Sequence, residues 1–170
     1  MPLTIRAPRT TADWDAARRL CWEYRDFLLG LEAESVRVAQ LAYPFEKYTR
    51  LMNRLEAEHS APNGGLFLVL QDDAPVGCGM YHRLCPNTAE IKRVYIAPDG
   101  RGLGAGRALM QRLIGDIRDQ GYARILMDTG KVLTTATALY LSLGFRLRGP
   151  YQDVPPEAEG LLRFFEMGLG

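Results

Sequence analysis

The sequence predicts a mixed α/β fold whose front half is an antiparallel sheet. Three apolar runs follow one another with short links between residues 66 and 96, a pattern typical of an antiparallel meander. From residue 104 onward, helical periodicity alternates with short apolar runs, which indicates helices packed on a sheet. The chain has 170 residues, enough for one domain spanning 1–170 that buries roughly 70% of its unfolded surface.

The composition excludes several classes of protein. With 21 basic and 20 acidic side chains, the net charge gives no field that would draw the chain onto nucleic acid or a membrane, and neither is an expected partner. No signal-peptide pattern or membrane-length apolar run is found, and the three cysteines form no CxxC pair, so we expect a cytoplasmic protein. Two histidines, His59 and His82, are too few and too isolated for a histidine-built site, and no metal is expected.

The N-terminal residues predict a strand followed by a helix. Leu3–Ala7 alternates between apolar and polar residues, as a half-buried strand does. Thr10 with Asp13 three residues later resembles a capping box, and Gly30 is a suitable stop. Between them, apolar side chains share one helical face: Trp14, Ala17, Leu20, Cys21, Tyr24, Phe27 and Leu28.

The next segment is less regular. Residues 31–43 have no strong period, so no element is predicted there. Pro44 begins a second helix, whose apolar stripe is expected to face the core and consists of Phe45, Tyr48, Leu51, Met52 and Leu55.

The middle of the chain predicts three consecutive strands. Leu66–Gln71 and Val76–Leu84 are joined by residues 72–75, Asp-Asp-Ala-Pro, whose length and chemistry suit a hairpin. Pro86 and Asn87 turn the chain into a third strand, Ala89–Ile96. The remaining elements are then expected in this order: a helix from about Gly104 to Gln120, a strand Ala123–Asp128, a helix Thr134–Leu143, and strands Phe145–Arg148 and Leu161–Leu169.

A glycine-rich turn between the third strand and the following helix is the strongest local signal. Gly100, Gly102, Gly104 and Gly106 lie within seven positions, which allows positive φ angles and close approach of the backbone to a ligand. The helix that follows presents unpaired N–H groups and the positive end of its dipole. These features predict an anion-binding loop, with phosphate as the expected guest.

Two common phosphate-binding motifs fit this loop poorly. A P-loop requires Lys-Ser/Thr after its last glycine, and no glycine here is followed by that pair. A dinucleotide fingerprint could begin at Gly102 and Gly104, but Arg107 occupies its third glycine position. Only 64 residues remain after Gly106 (170 − 106), too few for a doubly wound sheet.

A third motif fits. Arg101-Gly-Leu-Gly-Ala-Gly106 matches Arg/Gln-x-x-Gly-x-Gly/Ala, the signature of the GCN5-related N-acetyltransferase (GNAT) family. The upstream segment Glu90–Pro98 resembles that family's fourth strand, and the downstream segment Ala136–Phe145 resembles its A-x-x-L-Y-x-x-x-G-F motif. The likeness covers most of the chain, closely from about Val76 to Leu147.

The resemblance implies a fold and an activity. The fold is the acyl-CoA N-acyltransferase fold, with a mixed, mostly antiparallel central sheet of about six to seven strands and helices on both faces. The activity is direct transfer of an acetyl group from acetyl-CoA to a primary amine of a small molecule or a peptide. Family members commonly form dimers, so a homodimer is compatible with it. The competing interpretation is a non-catalytic acyl-CoA-binding or sensor module with the same fold.

The resemblance also implies residues that bind the cofactor. Leu133 stands where many relatives have Asn or Gln, so Thr134 or Thr135 would have to replace that contact. Main-chain groups of Val94, Tyr95 and Ile96 would pair with the pantetheine arm, where this strand separates from Ala123–Asp128. The loop N–H groups would hold the pyrophosphate, and its residues are Arg101, Gly102, Leu103, Gly104, Ala105 and Gly106.

For the chemistry, Tyr140 is the motif tyrosine and would protonate the departing thiolate; the alternative is an aromatic side chain that only packs. Glu90 would accept the proton of the amine, directly or through water, or else is an ordinary strand carboxylate paired with Lys92 or Arg93. Asp128 either recognises a cationic acceptor or caps the following turn. Residues 31–62 form the acceptor side in this family, and Tyr81, His82 and Tyr95 either line the acceptor pocket or pack beside it.

Overall fold

The computed structural model describes residues 2–170 and is built around a seven-stranded sheet. The strand order is β1-β2-β3-β4-β5-β7-β6, and every neighbouring pair is antiparallel except β4 and β5. The strands are β1 (Leu3–Arg6), β2 (Gly64–Gln71), β3 (Ala74–Cys85), β4 (Thr88–Ile96), β5 (Arg124–Gly130), β6 (Arg146–Arg148) and β7 (Leu162–Gly168). The helices are α1 (Thr11–Leu29), α2 (Ala33–Ala42), α3 (Phe45–Asn53), α4 (Leu55–Glu58), α5 (Ala105–Asp119) and α6 (Thr134–Ser142).

Helices cover both faces of the sheet, as predicted. On one face, buried residues of α5 and α6, among them Leu109, Leu113 and Tyr140, pack on the strands. On the other face, α1 and α3 contribute residues such as Leu20 and Met52 to a second core. The sheet is therefore sandwiched, and both of its faces are apolar at the centre.

The N-terminal helix begins as predicted, but the segment after it does not match the prediction. The Asp13 amide donates a hydrogen bond of 3.1 Å to the Thr10 hydroxyl, which caps α1. Residues 31–43, predicted to have no element, contain α2. Only Ala39 of α2 is fully buried, and the helix packs against α1 and a 3₁₀ turn at Pro156–Ala158. Tertiary contacts therefore stabilise a helix whose own sequence period is weak.

The predicted second helix is interrupted at Arg54, which separates α3 from α4. Tyr48, Met52 and Leu55 are buried, as the stripe required. The prediction was wrong for Phe45, which is 64% exposed. Phe45 begins the helix at the edge of the core, where its ring packs beside Trp22, with 5.5 Å between the ring centroids.

The remaining strands and helices lie within a few residues of their predicted bounds. Asp72 and Asp73 both have positive φ angles (49° and 65°), as a two-residue type I′ hairpin turn requires. Helix α5 connects the parallel pair β4 and β5, and β7 lies between β5 and β6. Within residues 2–170, none of the helices has both the length and the apolar character needed to cross a membrane.

Candidate active site

The glycine loop leads directly into α5. Gly102 and Gly104 have positive φ angles of 79° and 73°, and a Cβ at either position would meet no atom within 4 Å. Gly104 is the N-cap of α5, and the Ala108 amide makes the first helical hydrogen bond, to the Gly104 carbonyl. The amides of residues 105–107 therefore have no partner within the helix, and the space beside Gly102 and Gly104 is open. This geometry fits a pyrophosphate.

The Arg101 side chain is exposed and contacts two neighbouring elements. Its Nε donates a hydrogen bond of 3.0 Å to the Ile96 carbonyl, and its guanidinium lies 5.4 Å from the centre of the Phe27 ring. The side chain thus links the loop to the end of β4 and to α1. One of the main-chain groups predicted to pair with the pantetheine arm, the Ile96 carbonyl, is already used by this bond.

Strands β4 and β5 separate in the middle of the sheet. Their parallel pairing runs from Thr88–Arg124 to Glu90–Leu126 and stops there, although both strands continue. From residue 91 onward, the β5-facing edge of β4 has no strand partner among the described residues. Because an unpaired edge offers free N–H and C=O groups, the gap can accept a ligand with amide groups as though it were a strand. The separation agrees with the one that the resemblance implies.

A β-bulge in β4 accompanies this separation. Two steps along β3, from Cys78 to Met80, correspond to three steps along β4, from Tyr95 to Lys92. Arg93 has a φ of 51° within the bulge. Two successive polar residues, Lys92 and Arg93, interrupt the alternation of β4, and this interruption is the sequence signal that could have predicted the bulge.

Tyr140 lies on α6 with its ring in the core and its hydroxyl unengaged. The ring packs edge-on against Phe145 and Phe165, with centroid distances of 6.2 and 5.5 Å. Its hydroxyl makes no hydrogen bond within residues 2–170 and is not sealed from solvent. Burial, followed by the charge of Asp128, raises the pKa of Tyr140 to about 12. The phenol is therefore protonated at neutral pH and can donate a proton.

The start of α6 contains Leu133, the residue that stands where many relatives have Asn or Gln. Leu133 is its N-cap and makes no side-chain capping bond, while Thr134 and Thr135 are exposed. The Thr137 hydroxyl, one turn before Tyr140, is buried and has no hydrogen-bond partner among residues 2–170. The polar groups of this helix available to a ligand are thus hydroxyls, since no amide side chain is present.

Glu90 is the centre of a buried polar cluster. The residue is 3% exposed, and its carboxylate accepts hydrogen bonds from His82 Nε2 (2.7 Å) and the Tyr151 hydroxyl (2.5 Å). Lys92 Nζ lies 3.5 Å from its Oε2 atom. Burial alone would raise the pKa of Glu90, but the His82 bond, the Lys92 charge and the Tyr151 bond together lower it. Glu90 is therefore ionised at neutral pH.

Asp128 faces Glu90 across Lys92. Lys92 Nζ lies 3.8 Å from Asp128 Oδ2, and Gln152 Nε2 donates a hydrogen bond of 3.2 Å to the same oxygen. The pKa of Asp128 is raised overall, mainly by burial; the charge of Lys92 lowers it and the charge of Glu90 raises it further. Its contacts are thus with side chains of the cluster rather than with the following turn.

Beside this cluster, His59 and Arg93 form a second buried polar pair. His59 Nδ1–H donates to the Tyr81 carbonyl (2.9 Å), so its Nε2 is unprotonated and accepts a hydrogen bond from Arg93 Nη2 (2.9 Å). Burial and the Arg93 charge lower the pKa of His59 to about 3. The expectation that the two histidines are isolated was wrong, because the rings of His59 and His82 are 6.2 Å apart. Among the described residues, no group of three or more candidate ligands could hold a metal ion.

A cavity of about 490 Å³ opens between α1, α2 and the point where β4 and β5 separate. Glu90 lies behind His82 and Lys92, which belong to the cavity wall. Tyr81 and Tyr95 lie outside it: Tyr81 bonds Asp116, and Tyr95 packs in the α1 core. The polar side chains of the wall include His59, His82, Lys92, Arg93, Asp128 and Gln152.

Known proteins share this sequence pattern and fold. The family model described as "Acetyltransferase (GNAT) family" matches residues 13–145. An uncharacterised N-acetyltransferase of Schizosaccharomyces pombe is 31% identical over 157 residues, which cover 90% of this chain and 88% of that protein. An IAA acetyltransferase of Azospirillum brasilense is 28% identical over 131 residues, covering 71% and 84%.

Solved structures share the fold. The PaiA N-acetyltransferase of Thermoplasma acidophilum, in complex with coenzyme A, aligns with a TM-score of 0.71 and 15% identity over 99% of both chains. The Salmonella typhimurium protein YncA, with its cofactor acetyl-CoA, aligns with a TM-score of 0.73 and 21% identity, covering 100% of this chain and 95% of that one. The fold is therefore the acyl-CoA N-acyltransferase fold. The chain belongs to the acetyltransferase (GNAT) family, whose enzymes take their acetyl group from acetyl-CoA.

Proposed function

We propose that the chain transfers an acetyl group from acetyl-CoA directly to a primary amine of a small molecule or a peptide, with one domain carrying both the donor and acceptor sides. The observation that carries the proposal is the separation of β4 and β5 after Glu90 and Leu126. A glycine-lined helix terminus follows β4, and a cavity with ionisable side chains opens where the two strands part. A donor and an acceptor can therefore meet at the gap between the strands.

The donor side is assigned to backbone groups. Amides of residues 102–106 would bind the pyrophosphate, and main-chain groups of Val94, Tyr95 and Ile96 would pair with the pantetheine arm. The Arg101 amide, also predicted as a donor, is excluded because it already donates to the Pro98 carbonyl (3.2 Å). Thr134, exposed at the start of α6, would supply the contact that Leu133 cannot make. Acetyl-CoA supplies a thioester, and a free N–H of the β4 edge would stabilise negative charge on the carbonyl oxygen during attack.

Tyr140 is assigned as the general acid. Its phenol is protonated at neutral pH, and its hydroxyl has no protein partner among residues 2–170 to compete for the proton. In this role Tyr140 donates its proton to the sulfur as the carbon–sulfur bond breaks.

Glu90 is assigned as the base and would act through His82. The ionised carboxylate lies behind His82, which belongs to the cavity wall and donates its Nε2–H to Glu90. The proton that leaves the attacking amine would pass, directly or through water, to Nδ1 of His82, because Nε2 already carries the hydrogen donated to Glu90. Nδ1 lies 3.2 Å from the Arg83 carbonyl, to which it would then donate. The adjacent carboxylate would then stabilise the imidazolium.

Thiol release from acetyl-CoA, measured over a panel of amines, amino acids and short peptides, tests the proposal. We expect acceptor-dependent release of CoA and an acetylated amine in equal amounts. Tight binding of acetyl-CoA without release on any acceptor would instead favour a sensor module. Absence of acetyl-CoA binding would contradict the donor site as well.

A further inference from the structure

The β4 bulge places two cations on the same face of the sheet. In a regular strand, adjacent side chains point to opposite faces. Here Lys92 is paired with Met80 and Tyr95 with Cys78, so β4 has one more residue than β3 between these two pairs. As a result, the side chains of Lys92 and Arg93 both reach the face of the sheet covered by α1 and α2. Both side chains belong to the wall of the cavity.

The two cations differ in their partners. Lys92 lies near two carboxylates, at 3.5 Å from Glu90 and 3.8 Å from Asp128. Arg93 makes no ion pair within residues 2–170, although it is only 7% exposed. Its contacts are a hydrogen bond from Nη2 to neutral His59 and one from Nε to the Met80 sulfur (3.3 Å), which is a weak acceptor. A buried charge without a counter-ion is costly, so its retention calls for an explanation.

The remaining donors of the guanidinium are open to the cavity. Arg93 Nη1 has no hydrogen-bond partner among the described residues. Among residues 2–170, the Thr137 hydroxyl is the only side-chain nitrogen or oxygen that is fully buried and has no hydrogen-bond partner. Because Arg93 Nη1 also has no partner, it cannot be fully buried and is accessible. Since Arg93 belongs to the cavity wall, this free donor faces the cavity.

The rest of the wall sets the chemistry of the ligand. Its volume of about 490 Å³ is in the range of small-molecule sites. Of the three cations in the wall, Lys92 is neutralised by Glu90 and Asp128, Lys47 lies on α3, and Arg93 is the one on β4 that is unpaired within the described chain. A single guanidinium matches a carboxylate monoanion. The part of the wall formed by α1, α2, α3 and their connections contributes apolar side chains, among them Leu28, Leu31, Val38 and Leu51, together with Ser35, Tyr43 and Lys47.

We propose that the acceptor is a free α-amino acid with an apolar side chain, whose carboxylate is bound by Arg93. This inference rests on the proposed function, because the same molecule must present its amine to the gap between β4 and β5. Of the two acceptor classes in that proposal, small-molecule amines and peptides, it selects the small molecule, and it assigns acceptor specificity to the Arg93 guanidinium. Arg93 would bind and orient the acceptor and would not take part in proton transfer.

The test compares three acceptors that share the 3-methylbutylamine unit and differ in its C1 substituent: L-leucine (carboxylate), L-leucinamide (carboxamide) and isoamylamine (hydrogen). In the wild-type protein, kcat/KM for L-leucine should exceed that for each analogue roughly 10- to 100-fold, as expected for one charge-assisted hydrogen-bonded contact. Arg93→Met should reduce this preference to near one, and Arg93→Lys should retain part of it. Arg18→Met is the control, since Arg18 bonds the Met52 carbonyl outside the cavity wall. Its preference should equal that of the wild type.

Calorimetric titration of the same three compounds into the CoA-saturated wild-type protein separates the two proposals. Tighter binding of L-leucine supports the carboxylate site, whether or not thiol is released. Equal or undetectable affinity for all three compounds overturns the inference, as does a preference unchanged in Arg93→Met. Faster turnover of leucine-terminated peptides than of L-leucine overturns it in favour of a peptide acceptor. Absence of thiol release with any amine, by contrast, contradicts the proposed function.

Discussion

The hydroxyl of Tyr151 donates a hydrogen bond of 2.5 Å to Oε2 of Glu90, across 61 positions of sequence. Tyr151 lies in the loop between β6 and β7, whereas Glu90 lies on β4, two strands away from β7 in the sheet order. The bond brings the C-terminal loop against the polar cluster and helps to keep the Glu90 carboxylate ionised.

Tyr151→Phe should therefore raise the pKa of Glu90. The native bond is one of the causes that lower this pKa, so its removal reverses part of the effect. The acid-side inflection of kcat, measured at saturating acceptor, should move to higher pH, while kcat at its plateau changes little. Tyr122→Phe provides the control, because the Tyr122 hydroxyl contacts Arg83 away from the cluster. An unmoved inflection in Tyr151→Phe would show that Glu90 ionisation does not govern that limb.

Glu90→Gln should lower kcat roughly 100-fold or more, because the amide cannot stabilise an imidazolium at His82. Acetyl-CoA affinity should be unchanged. The matched control is Glu166→Gln, which removes another strand carboxylate of lowered pKa, one that holds Arg124, Arg146 and Arg148. This variant should lose stability but keep its kcat. Comparable kcat values for the two variants would remove Glu90 from the proposed mechanism.

Tyr140→Phe should reduce kcat roughly 100-fold or more while leaving acetyl-CoA affinity unchanged, since it removes the proton donor and keeps the ring that packs on Phe145 and Phe165. Because the pKa of Tyr140 is raised to about 12, its acid form persists as pH rises, and wild-type activity should show no loss from Tyr140 ionisation below roughly pH 10. Tyr81→Phe, which breaks the 2.6 Å bond to Asp116, is the control for stability. Equal kcat in wild type and Tyr140→Phe would mean that the ring only packs.

Much of the fold could be predicted because its signals are local. The strand bounds follow from alternation and turn residues, as at Asp72 and Asp73. The glycine loop before α5 could be predicted because positive φ angles favour glycine, and several glycines precede the start of the helix. Tyr140 and Glu90 could be proposed as site residues from the sequence because each belongs to a segment of fixed spacing around that loop.

The rest of the site depends on contacts distant in sequence. Tyr151 has no motif of its own, and only folding of the C-terminal loop brings it to Glu90. Arg93 could have been found from the two consecutive polar residues in β4, but its lack of a carboxylate partner is a property of the assembled core. Helix α2 was missed because packing on α1, rather than its own period, maintains it.

The ion pair between Arg6 and Asp13 should make stability depend on pH at the acid end. Arg6 contacts both carboxylate oxygens (2.7 and 3.2 Å), and the Arg9 amide donates to one of them, so the pKa of Asp13 falls to about 2 from 3.8. A lowered pKa stabilises the fold fully above the unfolded value, and this stability is lost as pH falls from about 4 through about 2.

At neutral pH, Asp13→Asn should lower the free energy of unfolding by about 1–2 kcal/mol, since solvent screens part of the interaction. Urea unfolding at a series of pH values measures the effect. The difference between the variant and the wild type should shrink toward pH 2. Asp15→Asn is the control on the same helix, because that carboxylate is exposed and its one ion-pair partner within the described part of the chain is Arg18. A difference that stays constant with pH would contradict the assignment to ionised Asp13.

Gly104→Ala should weaken acetyl-CoA binding roughly 10-fold or more. The added methyl group meets no protein atom, but it would project into the concave loop that the pyrophosphate should occupy, and the φ of 73° is strained for alanine by about 1 kcal/mol. Gly121→Ala is the matched control: its φ is 90°, it also has no neighbour within 4 Å, and it lies beyond the other end of α5. Both variants should lose similar stability in thermal unfolding. Only Gly104→Ala should bind acetyl-CoA more weakly by calorimetry, and equal affinities in the two variants would place the pyrophosphate elsewhere.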